Sequence, residues 1–270
     1  MATSDAPIEI GHVALTVHDL GKLSGFYQRS VGLDLLGSDS ETARLGAGGR
    51  MLVELRRDAA ARFRSPREAG LFHTAFLLPD RADLGALLDA YAERGARLQG
   101  ASDHAVSEAL YLSDPEGNGI EIYVDRPREA WPRGAGGIGM TTEPLDIADL
   151  RRAATGRWTG APAGTVVGHV HLQVGAIPEA EVFYTGPLGM SLVTRYPGAS
   201  FFATGGYHHH LATNVWNSRH AGPRDYPATG LAEVALRAED AEYERLAAQA
   251  GGEGLRDPWN TRFSVAPKAA

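Results

Sequence analysis

The sequence predicts an α+β fold assembled from four copies of one βαβββ unit, joined as two paired-unit domains. Three observations carry this. Residues 8–17 read as an alternating strand, and Asp19 then opens a helix with Leu20, Leu23, Phe26 and Tyr27 at helical spacing. The same strand-then-helix order returns from residue 71. Motifs also recur at one constant separation: Gly168-His169-Val170 echoes Gly11-His12-Val13, and Gly205-Gly206 echoes Gly48-Gly49.

In the first unit Gly32 ends the helix, and short strands follow around 35–36, 42–45 and 51–55. Residues 59–69, rich in Ala, Arg and Pro, read as a connecting loop. The second unit has a strand at 71–78 and a helix from Asp83 to about Arg94. Leu84, Leu87, Leu88 and Tyr91 form its apolar face and Gly95 caps it. Strands follow near 97–99, 105–112 and 119–124. Residues 126–165 break the pattern with Pro127, Trp131-Pro132, a Gly-rich segment and a helix near 146–154, as suits a domain boundary. In the third unit Phe183-Tyr184 and Leu188-Gly189 echo Phe26-Tyr27 and Val31-Gly32. The fourth begins at Thr229-Gly230-Leu231 and closes with Asp257-Pro258-Trp259-Asn260. Pairing the units in chain order gives an N-terminal domain at 8–125, a connection at 126–165 and a degenerate C-terminal copy at 166–267.

Composition bounds the function. Hydrophobic residues make up 43% and charged residues 22% of the chain, as in an ordinary globular protein. A formal charge of -7 without a basic patch argues against nucleic acid as a partner. There is no cysteine, so any metal must be held by His, Asp or Glu. Met1 to Pro7 lack a secretion signal and no apolar run approaches membrane-spanning length, so the expectation is a cytoplasmic protein without a membrane partner.

The chemistry centres on Asp114-Pro115-Glu116-Gly117-Asn118-Gly119, a tight turn that delivers the strand Ile120-Glu121-Ile122-Tyr123. An inward carboxylate among apolar neighbours is costly unless something cationic pairs with it. His12 and His73 lie in similar strand settings upstream, so His12, His73 and Glu121 are read as three ligands of one divalent metal. A lone strand histidine is more often a core or surface residue; two histidines and a glutamate at matching points of a repeat weigh the other way. Glu54, in Val53-Glu54-Leu55, is a candidate fourth ligand, against which Arg56 and Arg57 suggest a solvated strand end. By the repeat, the C-terminal equivalents of His12, His73 and Glu121 are His169, Glu233 and Ser264, and Ser264 leaves that copy incomplete. His169 and Glu233 with one of His208, His209 and His210 (His209 central among them) form a rival second-domain site; the bland alternative is a histidine ladder that includes His171.

Together with Gly100-Ala101-Ser102-Asp103-His104 to Tyr111-Leu112 and Gly206-Tyr207-His208-His209-His210, these motifs resemble the vicinal oxygen chelate superfamily of glyoxalases, bleomycin-resistance proteins and extradiol dioxygenases. The resemblance covers nearly all of 8–265 and is greatest to two-domain proteins of the catechol 2,3-dioxygenase type. It implies cupped half-barrels made of paired units, and Fe(II), or else Mn(II) or another divalent metal, on His12, His73 and Glu121. It implies catalytic roles for Tyr111, near the metal, and His104 behind it. Two imidazoles and one carboxylate leave three positions open, two for a catecholate and one for O2. The implied activity is therefore extradiol cleavage of a small aromatic diol, in a protein that can form homo-oligomers. Two departures stand out: no proton-handling histidine on the last strand of the first unit, and a complete triad in the N-terminal half. A metal-dependent isomerase or lyase of the glyoxalase or epimerase kind, marked by ligation through Glu54, is one alternative. A non-catalytic protein that sequesters a planar drug is the other, with four Trp and nine Tyr as stacking surface.

Overall fold

The computed structural model describes residues 5–134, 137–252 and 254–268; residues 1–4, within the stretch read as lacking a secretion signal, lie outside them. Among the described residues no helix is long and apolar enough to cross a membrane. Unit one comprises β1 (Ile8–Val17), α1 (Leu20–Phe26), β2 (Asp34–Ser38), β3 (Thr42–Ala47) and β4 (Arg50–Arg57). Unit two comprises β5 (Gly70–Leu77), α2 (Arg81–Arg94), β6 (Gly100–Asp103), β7 (Ser107–Ser113) and β8 (Gly119–Asp125). The connection holds the short β9 (Arg133–Gly134), β10 (Gly137–Ile138) and β11 (Glu143–Pro144), then α3 (Ile147–Arg152). Unit three comprises β12 (Val166–Gln173), α4 (Ile177–Thr185), β13 (Ser191–Tyr196), β14 (Ala199–Ala203) and β15 (Leu211–Asn214). Unit four comprises β16 (Gly230–Ala238), α5 (Asp240–Ala250), β17 (Leu255–Arg256) and β18 (Arg262–Pro267).

The helix ends follow from local chemistry. Asp19 caps α1 by accepting from the Lys22 amide at 2.9 Å. Asp80 rather than Asp83 caps α2, accepting from the Ala82 amide at 2.8 Å. Asp83 falls in the first turn, where a carboxylate favours the helix dipole. Gly95 closes α2 in the left-handed conformation that glycine adopts without strain.

Two sheets result, with strand orders β17-β18-β16-β1-β4-β3-β2 and β11-β6-β7-β8-β5-β12-β15-β14-β13. Within each unit the first strand lies parallel to the last, leaving its other edge open. That edge pairs antiparallel with the first strand of another unit: β1 with β16, and β5 with β12. Unit one therefore joins unit four, and unit two joins unit three. The chain-order pairing expected from 8–125 and 166–267 is not the one the strands make. Sheet pairing is long-range, and a repeat in sequence does not say which open edge closes which.

Units adjacent in sequence are linked instead through helices and turns. Tyr27 donates to Asp114 at 3.2 Å, and Tyr184 donates to Asp257 at 2.9 Å, the same contact made once in each half. Asp114 also accepts from the Glu116 and Asn118 amides at 2.9 Å each, which fixes the Asp-Pro turn leading into β8. The first strands pack centrally, β1 against β12 and β16 against β5. Alternation then gives each strand a core face and a cup face. Val13, Leu15 and Val17 enter the main core, while His12, Ala14 and Thr16 take the other side.

Candidate metal centre

The register of the second sheet assembles the site. Tyr111 on β7 pairs with Glu121 on β8; Glu121 lies beside Ala75 on β5; Ala75 pairs with His169 on β12. Residues paired across strands present their side chains to one face. Ala75 is fully buried and offers only a methyl group, so Glu121 and His169 reach each other above it. His73 stands two residues before Ala75 on the same face. Gly168, just before His169, is required by close approach: a Cβ there would sit 1.9 Å from the Tyr123 hydroxyl.

His73, Glu121 and His169 are all buried and converge on one point. Glu121 Oε2 is 2.9 Å from His73 Nε2 and 3.1 Å from His169 Nε2, and the two nitrogens are 3.3 Å apart. Three donors held about 2.1 Å from one ion at right angles would be about 3.0 Å apart, so this triangle fits one face of a coordination sphere. The donor states fit as well. Burial pushes the Glu121 carboxyl up, but the His169 and His73 rings together outweigh it and hold the carboxyl well below the usual range. Burial brings His169 down to about 4, against the opposing pull of Glu121. An ionised carboxylate and a neutral imidazole are what a divalent metal requires. His169 Nδ1 is buried with no hydrogen-bond partner among the described residues, so its polar interaction runs wholly through Nε2. The three side chains could together hold one divalent metal ion.

Of the three ligands expected from sequence, the structure brings together His73 and Glu121 and replaces His12 by His169. His12 lies on β1 in the other sheet. Glu54, the candidate fourth ligand, is there too, paired with Arg44 at 3.3 Å and Arg56 at 2.5 Å. Glu233, expected beside His169 and His209, also lies in the other sheet, 3.3 Å from Arg56 and hydrogen-bonded by Ser264. The common cause is the pairing of unit two with unit three, which moves the His12 role to the first strand of unit three. The motif Gly168-His169-Val170 was the available signal for it.

His104 and Tyr111 do come together. His104 Nε2 is 2.6 Å from the Tyr111 hydroxyl, and His104 Nδ1 is 2.6 Å from the Thr141 carbonyl, which can only accept. His104 therefore donates through Nδ1 and offers Nε2 to Tyr111. Burial, with Glu121 adding to it, raises the Tyr111 hydroxyl well above its ordinary value, so it stays protonated.

His209 precedes β15, the last strand of unit three, and its ring lies 4.1 Å, centroid to centroid, from that of His169. Unit three, which pairs with unit two, thus places a histidine just before its last strand, where the first unit has none. Burial, reinforced by the surrounding histidines, holds the His209 imidazole well below the ordinary value. His73, Glu121, His169, His209, Tyr111 and His104 all line one cavity of about 270 Å³, walled by Phe72, Met140, Tyr196, Phe201 and Trp216. His171 lines it too, with Nε2 held by the Asn214 side chain at 3.0 Å.

This duplicated, cupped architecture has a counterpart among known proteins. The model of the Glyoxalase/Bleomycin resistance protein/Dioxygenase superfamily matches residues 9–122 and 166–265. The chain belongs to that superfamily. A catechol-2,3-dioxygenase of Bacillus subtilis (strain 168) is 44% identical over 228 residues, covering 82% of this chain and 80% of that protein. A biphenyl-2,3-diol 1,2-dioxygenase 3 of Rhodococcus globerulus is 33% identical over 102 residues, 33% of this chain and 52% of that protein. Glyoxalase I from Zea mays shares the fold at 17% identity, with a TM-score of 0.56 over 97% of this chain and 93% of its own. The cppA protein of Streptococcus pneumoniae TIGR4 does so at 10% identity and a TM-score of 0.56, over 96% and 98%. Both superfamily segments contain a first strand that lends the centre a histidine, His73 in one and His169 in the other.

Proposed function

We propose that this protein is an extradiol ring-cleavage dioxygenase that opens a catechol-type aromatic ring with O2, with Fe(II) on His73, Glu121 and His169. The observation that carries the reading is the open donor face at the floor of an aromatic-walled cavity, flanked by two separate proton-handling groups. A divalent metal held by His73, Glu121 and His169 would supply the site that binds the diol and O2 and would let electron density pass between them.

The chain does the rest. Phe72, Phe201, Tyr196 and Trp216 enclose an aromatic ring and exclude water from the reacting edge. On the β7 flank, the Tyr111 oxygen accepts a substrate hydroxyl proton as Tyr111 passes its own to His104 Nε2. On the β12 flank, His209 faces the cavity to take or return the second proton. Extradiol cleavage needs a base when the diol binds and an acid when the O–O bond breaks; the two flanks keep those duties apart. The fourth ligand that would mark an isomerase, Glu54, belongs to the other cup. We further propose that the enzyme acts in the cytoplasm.

The test is to load the protein anaerobically with Fe(II), add catechol and admit air. Yellow ring-opened product with matching O2 uptake is expected. Metal bound at these residues without O2 uptake on any catechol would overturn the reading.

A further inference from the structure

His209 does not end at the cavity wall. Its Nδ1 lies 2.7 Å from His208 Nδ1, and His208 Nε2 lies 2.8 Å from Asp125 Oδ1. His208 is fully buried, its ring stacked on Tyr207 at 4.0 Å and beside Trp131 at 5.1 Å. Tyr207 also donates to Asp125 Oδ1 at 3.2 Å, with Tyr123 and Tyr207 joined at 2.8 Å. Asp125 Oδ2 has no partner among the described residues.

We propose that Asp125 and His208 are positioning residues that fix the tautomer of His209, so that Nδ1 carries its proton and Nε2 presents a lone pair to the cavity. The argument is one of proton counting. A carboxylate can only accept, so the bond between His208 Nε2 and Asp125 places a proton on Nε2. The gap between the two Nδ1 atoms holds one proton. A neutral His208 has one ring proton and has spent it on the carboxylate, so with His208 neutral the proton in the gap belongs to His209. Only Nε2 of His209 is then left for the substrate, and it is unprotonated. The same bonds fix the ring plane, which a free cavity histidine would not keep. The use of this lone pair as a base rests on the ring-cleavage reading; the tautomer does not.

The full chain, labelled with ¹⁵N-histidine and loaded with diamagnetic Zn(II), is examined by long-range ¹H–¹⁵N correlation. His209 is expected to show a protonated Nδ1 and a pyridine-like Nε2. In Asp125→Asn, the amide can donate to His208 Nε2, and the tautomers of both rings are expected to invert. With Fe(II), kcat for catechol is expected to fall about 100-fold at nearly constant KM, the size of a general acid–base contribution. Tyr207→Phe removes the other donor on Asp125 but leaves the relay, and kcat is expected to stay within about threefold. A wild-type spectrum with Nε2 of His209 protonated overturns the proposal, as does an unchanged tautomer in Asp125→Asn. Should that variant not fold, the wild-type spectrum alone decides. A clear Nδ1–H tautomer in a protein that cleaves no catechol would sink the ring-cleavage reading and leave this one standing.

Discussion

The two cups of this molecule are built to the same plan and hold different charges. In the second sheet the central row runs Tyr111, Glu121, Ala75, His169; in the first it runs Arg44, Glu54, Ala14, Glu233, Arg262. Ala14 stands where Ala75 stands, Glu54 where Glu121 stands, and His12 where His73 stands. The first cup has a glutamate in place of the second histidine, and the Arg56 guanidinium bridges Glu54 and Glu233. One cup thus carries its cation covalently, while the buried carboxylate of the other faces the His73 and His169 imidazoles and the Tyr111 hydroxyl. Among the described residues, the only His, Asp and Glu group close enough to share an ion is in the second cup. A duplicated scaffold fixes where donors stand; the residue type at the matching positions of His169 and Glu233 sets the charge that each cup holds.

The sharpest way to break this comparison is to remove one histidine from each cup. His169→Ala is expected to lower Fe(II) affinity by more than the about 10–100-fold typical of outer partners, and to abolish O2 uptake. His12→Ala is expected to leave metal stoichiometry at one per chain and activity within about twofold. Anaerobic metal titration reads both, and equal loss in the two variants would refute the assignment of cups.

The alanines give a second matched pair. Ala75→Leu and Ala14→Leu both overfill a fully buried site, and each is expected to cost about 1–3 kcal/mol in denaturant unfolding. Only Ala75→Leu is expected to drive Glu121 and His169 apart and lose the metal. Retention of full affinity by that variant would show that the register row does not set the ligand triangle.

Acid should act mainly through the second cup and the histidines behind it. Burial holds His169 at about 4 and His210 at about 3, and keeps His171 and His209 well below their ordinary value. Between 6.5 and those folded values the unfolded chain binds protons that the folded chain refuses. Stability of the metal-free protein therefore falls as pH drops below 6.5, by about 1.4 kcal/mol per pH unit for each such histidine. His210→Asn is expected to reduce that slope by about one proton; urea melts across this range would show an unchanged slope if the ring were not kept neutral.

The smallest effect is expected at Arg56. Its guanidinium is part-exposed, so Arg56→Ala should cost only about 1 kcal/mol. The Glu54 carboxyl, which Arg56 holds down against the upward push of burial, should rise in consequence. Titration of Glu54 by NMR checks this, and an unmoved carboxyl would mean that Arg44 alone neutralises it.

Much of this was legible in the residues. The strand at 8–17, the turn at Asp114-Pro115, the partnership of His104 with Tyr111, and the places of His73 and Glu121 all follow from local pattern and from the resemblance those motifs carry. The error lay in His12. Every unit offers a first strand with one open edge, and the chain-order guess closed the wrong pair. The pairing of unit two with unit three also brings His209, from the His208-His209-His210 run, to the cavity beside His169.

By itself the sequence determined the repeating unit, the superfamily motifs and a chemistry limited to His and carboxylate donors, because periodicity, turn residues and composition are local properties. Only the tertiary structure decided which cup brings two histidines and a glutamate together. That choice depends on which strand edges meet across nearly a hundred residues of chain, and on whether a guanidinium or an ion balances the carboxylate that the pairing buries.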